Sequence, residues 1–412
     1  MHSTLRDTST PCLGRGKKIP RTKNNMNTNI SKIFLLTSII FISFNYSCSS
    51  DSNNPTDDDS GGSSNVDDPI DTPAESAIEF EKHYQTNDST FVFNSIVQLA
   101  DSSYTLGGKV IVHGLVDPNK NVIAKLDKYG NRDWTRTMQN TYTPYGIEKL
   151  FLNNDGYLGL RSKRYSTDNS ANLIFFDEIG NVESQIFFEN NGFYHDMIRE
   201  GNNYFVGGRI GSDLTYRMLN SNGEVIWQAI QPINTSAFSV TKLTDGNYLG
   251  IGGGNFSTND GFLAKIDNLG NFIWIKNHRG LKVLGISDNE FLAVINDNST
   301  SVANLARFNQ DGDIIWSISL TDFFSLGEPP NALNLMTYDN GLIVCTYYNQ
   351  SLGLNIIVVD MEGNLVNLST VSSSDGRLFR GVSKTIDNGM LIVASDYLRF
   401  DIIKLSSEDI FN

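Results

Sequence analysis

The side chains beyond residue 47 that could do chemistry are few and scattered. The histidines there, His83, His113, His195 and His278, stand in separate stretches of sequence. A metal site draws several ligands to one point, commonly through closely spaced pairs, and the region has no HExxH or CxxC pair. GxSxG, P-loop and GxGxxG arrangements are absent too, so acyl transfer, phosphate cradling and dinucleotide binding have no local signature. The run Asn309-Gln-Asp311-Gly-Asp313 has the acidity of a calcium loop but neither its full spacing nor its distal Glu. Cys345 lies in the apolar run Leu342–Cys345 and reads as a small buried hydrophobe, not a reactive thiol. The expectation is a chain with no metal, no cofactor and no disulfide.

Turn chemistry is far more regular. Gly130, Gly180, Gly223, Gly270, Gly312 and Gly363 recur about every 40 to 50 residues, and three residues before each stands Asp127, Asp177, Asn220, Asp267, Asn309 or Asp360. An Asp or Asn side chain there accepts hydrogen bonds from backbone amides further along the turn, while Gly takes the positive φ that closes a hairpin. Four residues after the glycine come Trp134, Trp227, Trp274 and Trp316, all the tryptophans of the protein; Ser184 and Asn367 take that place in the second and sixth copies. One indole per copy suits packing of one sheet on the next.

A second turn recurs seven times, from Asp101-Ser-Ser-Tyr104 and Asp155-Gly-Tyr157 to Asp387-Asn-Gly-Met390. Between the turns run short alternating stretches, four to a copy, which predict a four-stranded antiparallel meander. The seventh copy stops after its third strand. Ile78–His83 carries the aromatic, lysine and histidine of Trp274–His278, so it is expected to supply the missing strand. The pattern predicts an all-β fold over residues 77–412: a seven-bladed β-propeller of four-stranded antiparallel blades, closed by an N-terminal strand that completes the last blade and leaves no open edge.

The unit resembles the DGxY and LDxxGNxxW repeats of secreted propellers from Bacteroidetes and other bacteria, over about 80% of the chain. It is distantly similar to quinoprotein propellers, but lacks the vicinal cysteines of their dehydrogenases. Its Asp–Gly–Trp spacing is one residue longer on each side of the glycine than the Asp-box of sialidases, and no set of substrate-clamping arginines accompanies it. These families imply a fold and little about activity. In such a fold the Asp- and Gly-bearing turns lie on one face, and the variable loops on the other carry Tyr165, Tyr194, His195, Phe256, Tyr347, Tyr348 and Arg399. Aromatics with scattered polar groups suit a glycan or a protein partner.

The amino terminus reads as an address. Ile33–Phe44 is a twelve-residue apolar run between Lys32 and Asn45-Tyr-Ser47-Cys48, too short to span a bilayer comfortably and suited to a signal-peptide core. It resembles a bacterial lipoprotein signal, which makes Cys48 the lipidated first residue of the mature chain. Ser47 fits the small residue before it, while Asn45 stands where an aliphatic is usual. Residues 1–47 are expected to be a signal segment whose true start is Met26, which gives a leader of ordinary length; an uncleaved anchor is the alternative. Residues 49–76 hold eight acids and no base, which predicts a disordered tether with a reach of about 30 Å. Acids behind a lipidated cysteine resemble the export signal for surface display in Bacteroidetes, although here they begin later than usual, and a periplasm-facing anchor stays open.

Formal charge is −14, and loss of residues 1–47 removes six net positive charges. So acidic a body repels phosphate backbones, which excludes nucleic acid as a partner. The sequence therefore reads as an outer-membrane lipoprotein, held through Cys48 and displayed at the cell surface, that binds or scaffolds a glycan or protein. A surface glycan hydrolase or lyase is the alternative and would need two rim carboxylates about 5–10 Å apart. An outer-membrane assembly scaffold is a third reading, by analogy.

Overall fold

The computed structural model describes residues 78–412 apart from 86–87, 114–118, 139–143, 154, 164–169, 254–260, 288–289, 297–301, 321–330, 350–352, 372–377, 397–398 and 412. They belong to one compact unit, Thr72–Asn412. The signal segment, Cys48 and the whole tether lie outside the described residues.

Among the described residues, twenty-eight strands follow one another. After β1 (Ile78–Gln85), the first meander is β2 (Ser89–Gln98), β3 (Tyr104–Val112), β4 (Asn119–Leu126) and β5 (Arg132–Met138). The second is β6 (Pro144–Asn153), β7 (Gly156–Lys163), β8 (Ser170–Asp177) and β9 (Val182–Glu189). The third is β10 (Gly192–Glu200), β11 (Asn203–Ile210), β12 (Asp213–Leu219) and β13 (Val225–Asn234). Next come β14 (Ser236–Lys242), β15 (Tyr248–Gly253), β16 (Gly261–Ile266) and β17 (Phe272–Lys276). Then follow β18 (Arg279–Gly285), β19 (Phe291–Asn296), β20 (Ala303–Phe308) and β21 (Ile314–Ser319). β22 (Asn331–Thr337), β23 (Ile343–Asn349), β24 (Gly353–Val359) and β25 (Leu365–Val371) precede β26 (Leu378–Lys384), β27 (Met390–Ser395), β28 (Arg399–Leu405) and a short helix α1 (Ser407–Phe411).

Hydrogen bonding groups the strands into five four-stranded sheets and one larger sheet, in which β14–β17 and β18–β21 are joined by a single parallel bridge, Gly252 to Arg279. The fold is an all-β propeller. The last sheet runs β1-β28-β27-β26, with β1 antiparallel to β28.

Each hairpin between third and fourth strands is closed as its residue types dictate. The Asp127 carboxylate accepts from the amides of Tyr129 (2.9 Å) and Asn131 (2.8 Å) and from Asn131 Nδ2 (2.9 Å), and Gly130 turns at φ +78°. Asp177, Asp267 and Asp360 make the same three bonds in their own turns.

These turns also hold one sheet to the next. A Cβ built on Gly180 would lie 2.5 Å from the ring of Trp134 in the preceding sheet; on Gly270, 2.6 Å from Trp227; on Gly312, 2.9 Å from Trp274; on Gly363, 2.8 Å from Trp316. Each indole lies flush on a glycine. Trp274 and Trp316 donate Nε1–H to the carbonyls of Gln310 (3.3 Å) and Met361 (2.9 Å) in the same turns. Their cross-strand neighbours, Lys265 and Arg307, reach those carbonyls at 3.4 and 2.6 Å. The indoles are half-buried, because their outer edges face solvent.

The two copies without tryptophan use substitutes. In β9, Ile186, two residues after Ser184, comes within 2.3 Å of a Cβ on Gly223. In β25, Asn367 donates to the Ile410 carbonyl of α1 at 2.8 Å. The last sheet has no turn after its third strand, and α1 stands in for it, with Phe411 edge-on to Tyr338 at 5.0 Å.

At the junction of first and last sheets, Phe80 of β1 lies 2.4 Å from a Cβ on Gly130, and the Tyr84 hydroxyl donates to the Gly130 carbonyl. Lys404 of β28 binds Glu79 of β1 (2.5 Å) and Asp387, and His83 Nδ1 bonds the buried Asp401 at 2.7 Å. Measured from the aromatic, His83 is the third residue after Phe80 and lies inside β1, whereas His278 is the fourth after Trp274 and lies beyond β17. The two histidines are therefore not equivalent, contrary to the expectation from sequence.

Two comparisons follow. Gly246 and Gly270 both have positive φ, +84° and +90°, but nothing lies within 4 Å of a Cβ on Gly246. Gly246→Ala should cost about 1–2 kcal/mol of backbone strain, and Gly270→Ala about 1–3 kcal/mol more from the indole, read from denaturant midpoints of the full chain. Phe80→Ala should cost about 2 kcal/mol, less than the 3–5 kcal/mol of a fully buried ring, because Phe80 is half-buried; an unchanged midpoint would remove β1 from the packing.

Candidate functional site

The first strands of the meanders, β2, β6, β10, β14, β18, β22 and β26, contact one another in that order, and β26 contacts β2. They surround a channel. In every one the register skips one residue at the same place: Asn94, Glu148, His195, Phe238, Leu281, Leu333 and Arg380. A bulge of this kind re-aims a side chain and sharpens the local twist. Opposite three of the bulges stand Gly108, Gly208 and Gly252, where a Cβ would fall 2.0, 2.1 and 1.9 Å from the backbone oxygens of Val92, Phe193 and Ser236. At these three places a side chain on the second strand would strike the bulged backbone, and glycine avoids it.

In five of the seven, the residue after the bulge ties its first strand to the next. Ser95 Oγ accepts from the Leu150 amide at 2.9 Å, Asp196 Oδ2 from the Val240 amide at 3.1 Å, and Ser239 Oγ from the Val283 amide at 3.4 Å. Asn334 Nδ2 donates to the Val382 carbonyl at 2.7 Å, and Lys149 pairs with Asp196 at 3.3 Å. Lys282 and Gly381 occupy the two remaining places. Asp196 also accepts from the Met197 amide at 2.9 Å and from Ser239 Oγ at 3.3 Å. Its carboxyl is held below the usual range: burial opposes this, but Lys149, Lys282 and the two amides outweigh it.

A cavity of about 150 Å³ lies among these residues, lined by Asn94, Ser95, Glu148, Lys149, His195, Asp196, Lys282, Asn334 and Arg380 among others. The Glu148 carboxyl keeps some access to the cavity but has protein all round it. That enclosure pushes it up to about 8, against the pull of Lys109 and Lys282. Burial likewise lowers Lys282, opposed by Asp196 and Glu148. His195 sits edge-on between Phe193 (4.4 Å) and Phe238 (5.2 Å).

Of the residues expected on an exposed loop face, His195 is the one brought to this cavity. Tyr194 and Tyr347 are fully buried and Tyr348 nearly so, inside β10 and β23, because the loops are shorter and the strands longer than the sequence suggested. Burial raises the Tyr347 hydroxyl to about 12. These three tyrosines are core residues and not rim contacts. Arg399 opens β28 beside Asp396 (3.2 Å) and the buried Asp401 (3.5 Å). Tyr165 and Phe256 lie outside the described residues. Cys345 is buried, and enclosure raises its thiol to about 12. Among the described residues no three His, Cys, Asp or Glu side chains converge as a metal-binding group.

Sequence reasoning missed Asn94, Glu148, Lys149, Asp196, Lys282 and Arg380. A signal was present: polar pairs such as Asn94-Ser95, Glu148-Lys149 and His195-Asp196 interrupt otherwise apolar strands, six or seven residues ahead of each recurring first turn.

No protein-family model matches the chain, and no curated protein matches its sequence. Solved structures do resemble it. The WD40 β-propeller domain of Doa1 aligns with TM-score 0.52 and 12% identity, covering 78% of this chain and 96% of that one. The Pan2 WD40 domain of Neurospora crassa gives 0.52 and 13%, covering 78% and 91%. YCF48 bound to D1 peptide gives 0.51 and 10%, covering 78% and 96%. At such identities the likeness is one of fold: the described chain is a β-propeller.

Proposed function

We propose that this protein is a binding or scaffold module: a seven-bladed propeller, with the bridged sheet counting as two blades, lipidated at Cys48 and displayed at the outer membrane to hold a glycan or protein partner. One observation carries the reading. The bulge recurs at one backbone position in all seven first strands, yet its residue is Asn, Glu, His, Phe, Leu or Arg. The turns, by contrast, repeat their Asp and Gly almost without change. A fixed frame that presents different side chains at one point is the arrangement a recognition site requires. YCF48, a structural neighbour, is bound to a peptide, which fits a protein partner.

The channel gives little support to a hydrolase. Its two carboxylates, Glu148 and Asp196, have opposite shifts, as an acid and a base would. Asp196, however, is occupied by two amides, Ser239 and Lys149, and has no oxygen left to activate water or attack a sugar.

Two measurements test this. Cys48→Ser should move the protein from the membrane fraction to the soluble one, and retention in membranes at high salt would rule out the lipid anchor. The full chain on a glycan array and against surface peptides should bind, and Asn94→Ala with His195→Ala should weaken that binding with little change in melting temperature. Release of new reducing ends from a bound glycan would contradict the binding-module reading.

A further inference from the structure

We propose that the channel takes a small oxyanion, a carboxylate or phosphate group, on Lys282 and Arg380. This rests on the binding-module reading and names the chemistry that its channel recognises. Five of the residues that follow the bulges, Ser95, Lys149, Asp196, Ser239 and Asn334, are tied into bonds between strands. Lys282 holds the equivalent place in β18, and its side chain makes no hydrogen bond or ion pair with any described residue. Arg380, the bulged residue of β26, likewise has none. An unpaired cation hemmed in by protein is costly, which bears on the half-buried Lys282; Arg380 is exposed at the rim, and both line the cavity.

The charges around them favour an anion. Among the described residues that line the cavity, Lys149, Lys282 and Arg380 stand against the carboxyls of Glu148 and Asp196, with Lys109 of β3 close to Glu148. Asp196 is paired to Lys149, and Glu148, raised to about 8 by its enclosure, carries its proton at neutral pH. Lys282 feels Asp196 at a distance but forms no ion pair, and neither does Arg380, in a protein whose formal charge is −14. The locally reversed field draws an anion inward. At about 150 Å³ the cavity is well below the roughly 300–1,000 Å³ of pockets that enclose drug-sized ligands. It fits a single charged group, free or at the tip of a larger molecule.

The test is calorimetric titration of the full chain with sodium sulfate, phosphate and acetate at pH 6.5, with ionic strength held constant by sodium chloride. Saturable binding of at least one is expected. Lys282→Gln and Arg380→Gln should each weaken it about 10- to 100-fold, the range for a hydrogen bond to a charged group. Lys276→Gln, the same charge change on the outer strand β17, should leave it unaltered. Preference for acetate identifies a carboxylate ligand; preference for phosphate and sulfate, a phosphate. As pH rises through about 8, Glu148 ionises and competes for Lys282, so sulfate affinity should fall between pH 6.5 and 9 in the wild type and fall less in Glu148→Gln, where only the lowered Lys282 still titrates toward its neutral form. Melting curves check that each variant is folded, and Arg380→Gln decides if Lys282→Gln is not. No saturable binding of any of the three ions, or equal weakening by Lys276→Gln, would overturn the proposal. If the ions fail to bind while Asn94→Ala with His195→Ala still weakens a macromolecular partner, the oxyanion site is wrong and the binding module stands.

Discussion

The structure depends on one contact, repeated: a flat side chain on the fourth strand of one sheet against a glycine in the turn of the next. The glycine has two reasons to be there. Positive φ closes the hairpin, and the missing Cβ leaves the space that the ring fills, 2.5 to 2.9 Å from where that Cβ would be for the four indoles. One residue thus satisfies local turn geometry and packing between sheets together, the agreement across levels that makes a sequence specify its fold. The Asp three residues earlier belongs to the same device, since its bonds to two amides set the turn that presents the glycine.

The outer clasp frees the inner strands. With the sheets fixed at the periphery, the first strands keep bulges that an isolated sheet would lose by slipping register. After five of the bulges a polar residue stitches neighbouring first strands together. Where the stitch is absent, at Lys282, charge is left facing the cavity.

Much of the frame was legible in the sequence because turn chemistry is local. Asp127, Gly130 and Trp134 lie within eight residues of one another, and their spacing alone announces a hairpin and an indole beyond it. The part played by Ile78–Gln85 was legible too, from the copy that lacked a fourth strand. The replacements at β9 and β25 were not: that Ile186 covers for Ser184, and that α1 stands in for a missing turn, depends on which sheet lies opposite. The channel was harder still. Its residues come from strands some 45 residues apart, and no short spacing records that Glu148, Asp196, Lys282 and Arg380 meet. Tyr347 and Tyr348 were misplaced for the same reason, since aromatic residues beside a loop look alike in sequence whether they point into the core or out of it.

The central claim is that β1 closes the ring as a full member of the last sheet, clasped by Phe80 on Gly130 and by Lys404 on Glu79. Native-state hydrogen exchange measures this most directly. Amides of β1 that pair with β28 should exchange only through the opening that also releases β27, with the same free energy and the same dependence on denaturant. Exchange of β1 by local fraying, many-fold faster and insensitive to denaturant while β27 remains protected, would show that the strand is an appendage and that the ring holds together without it.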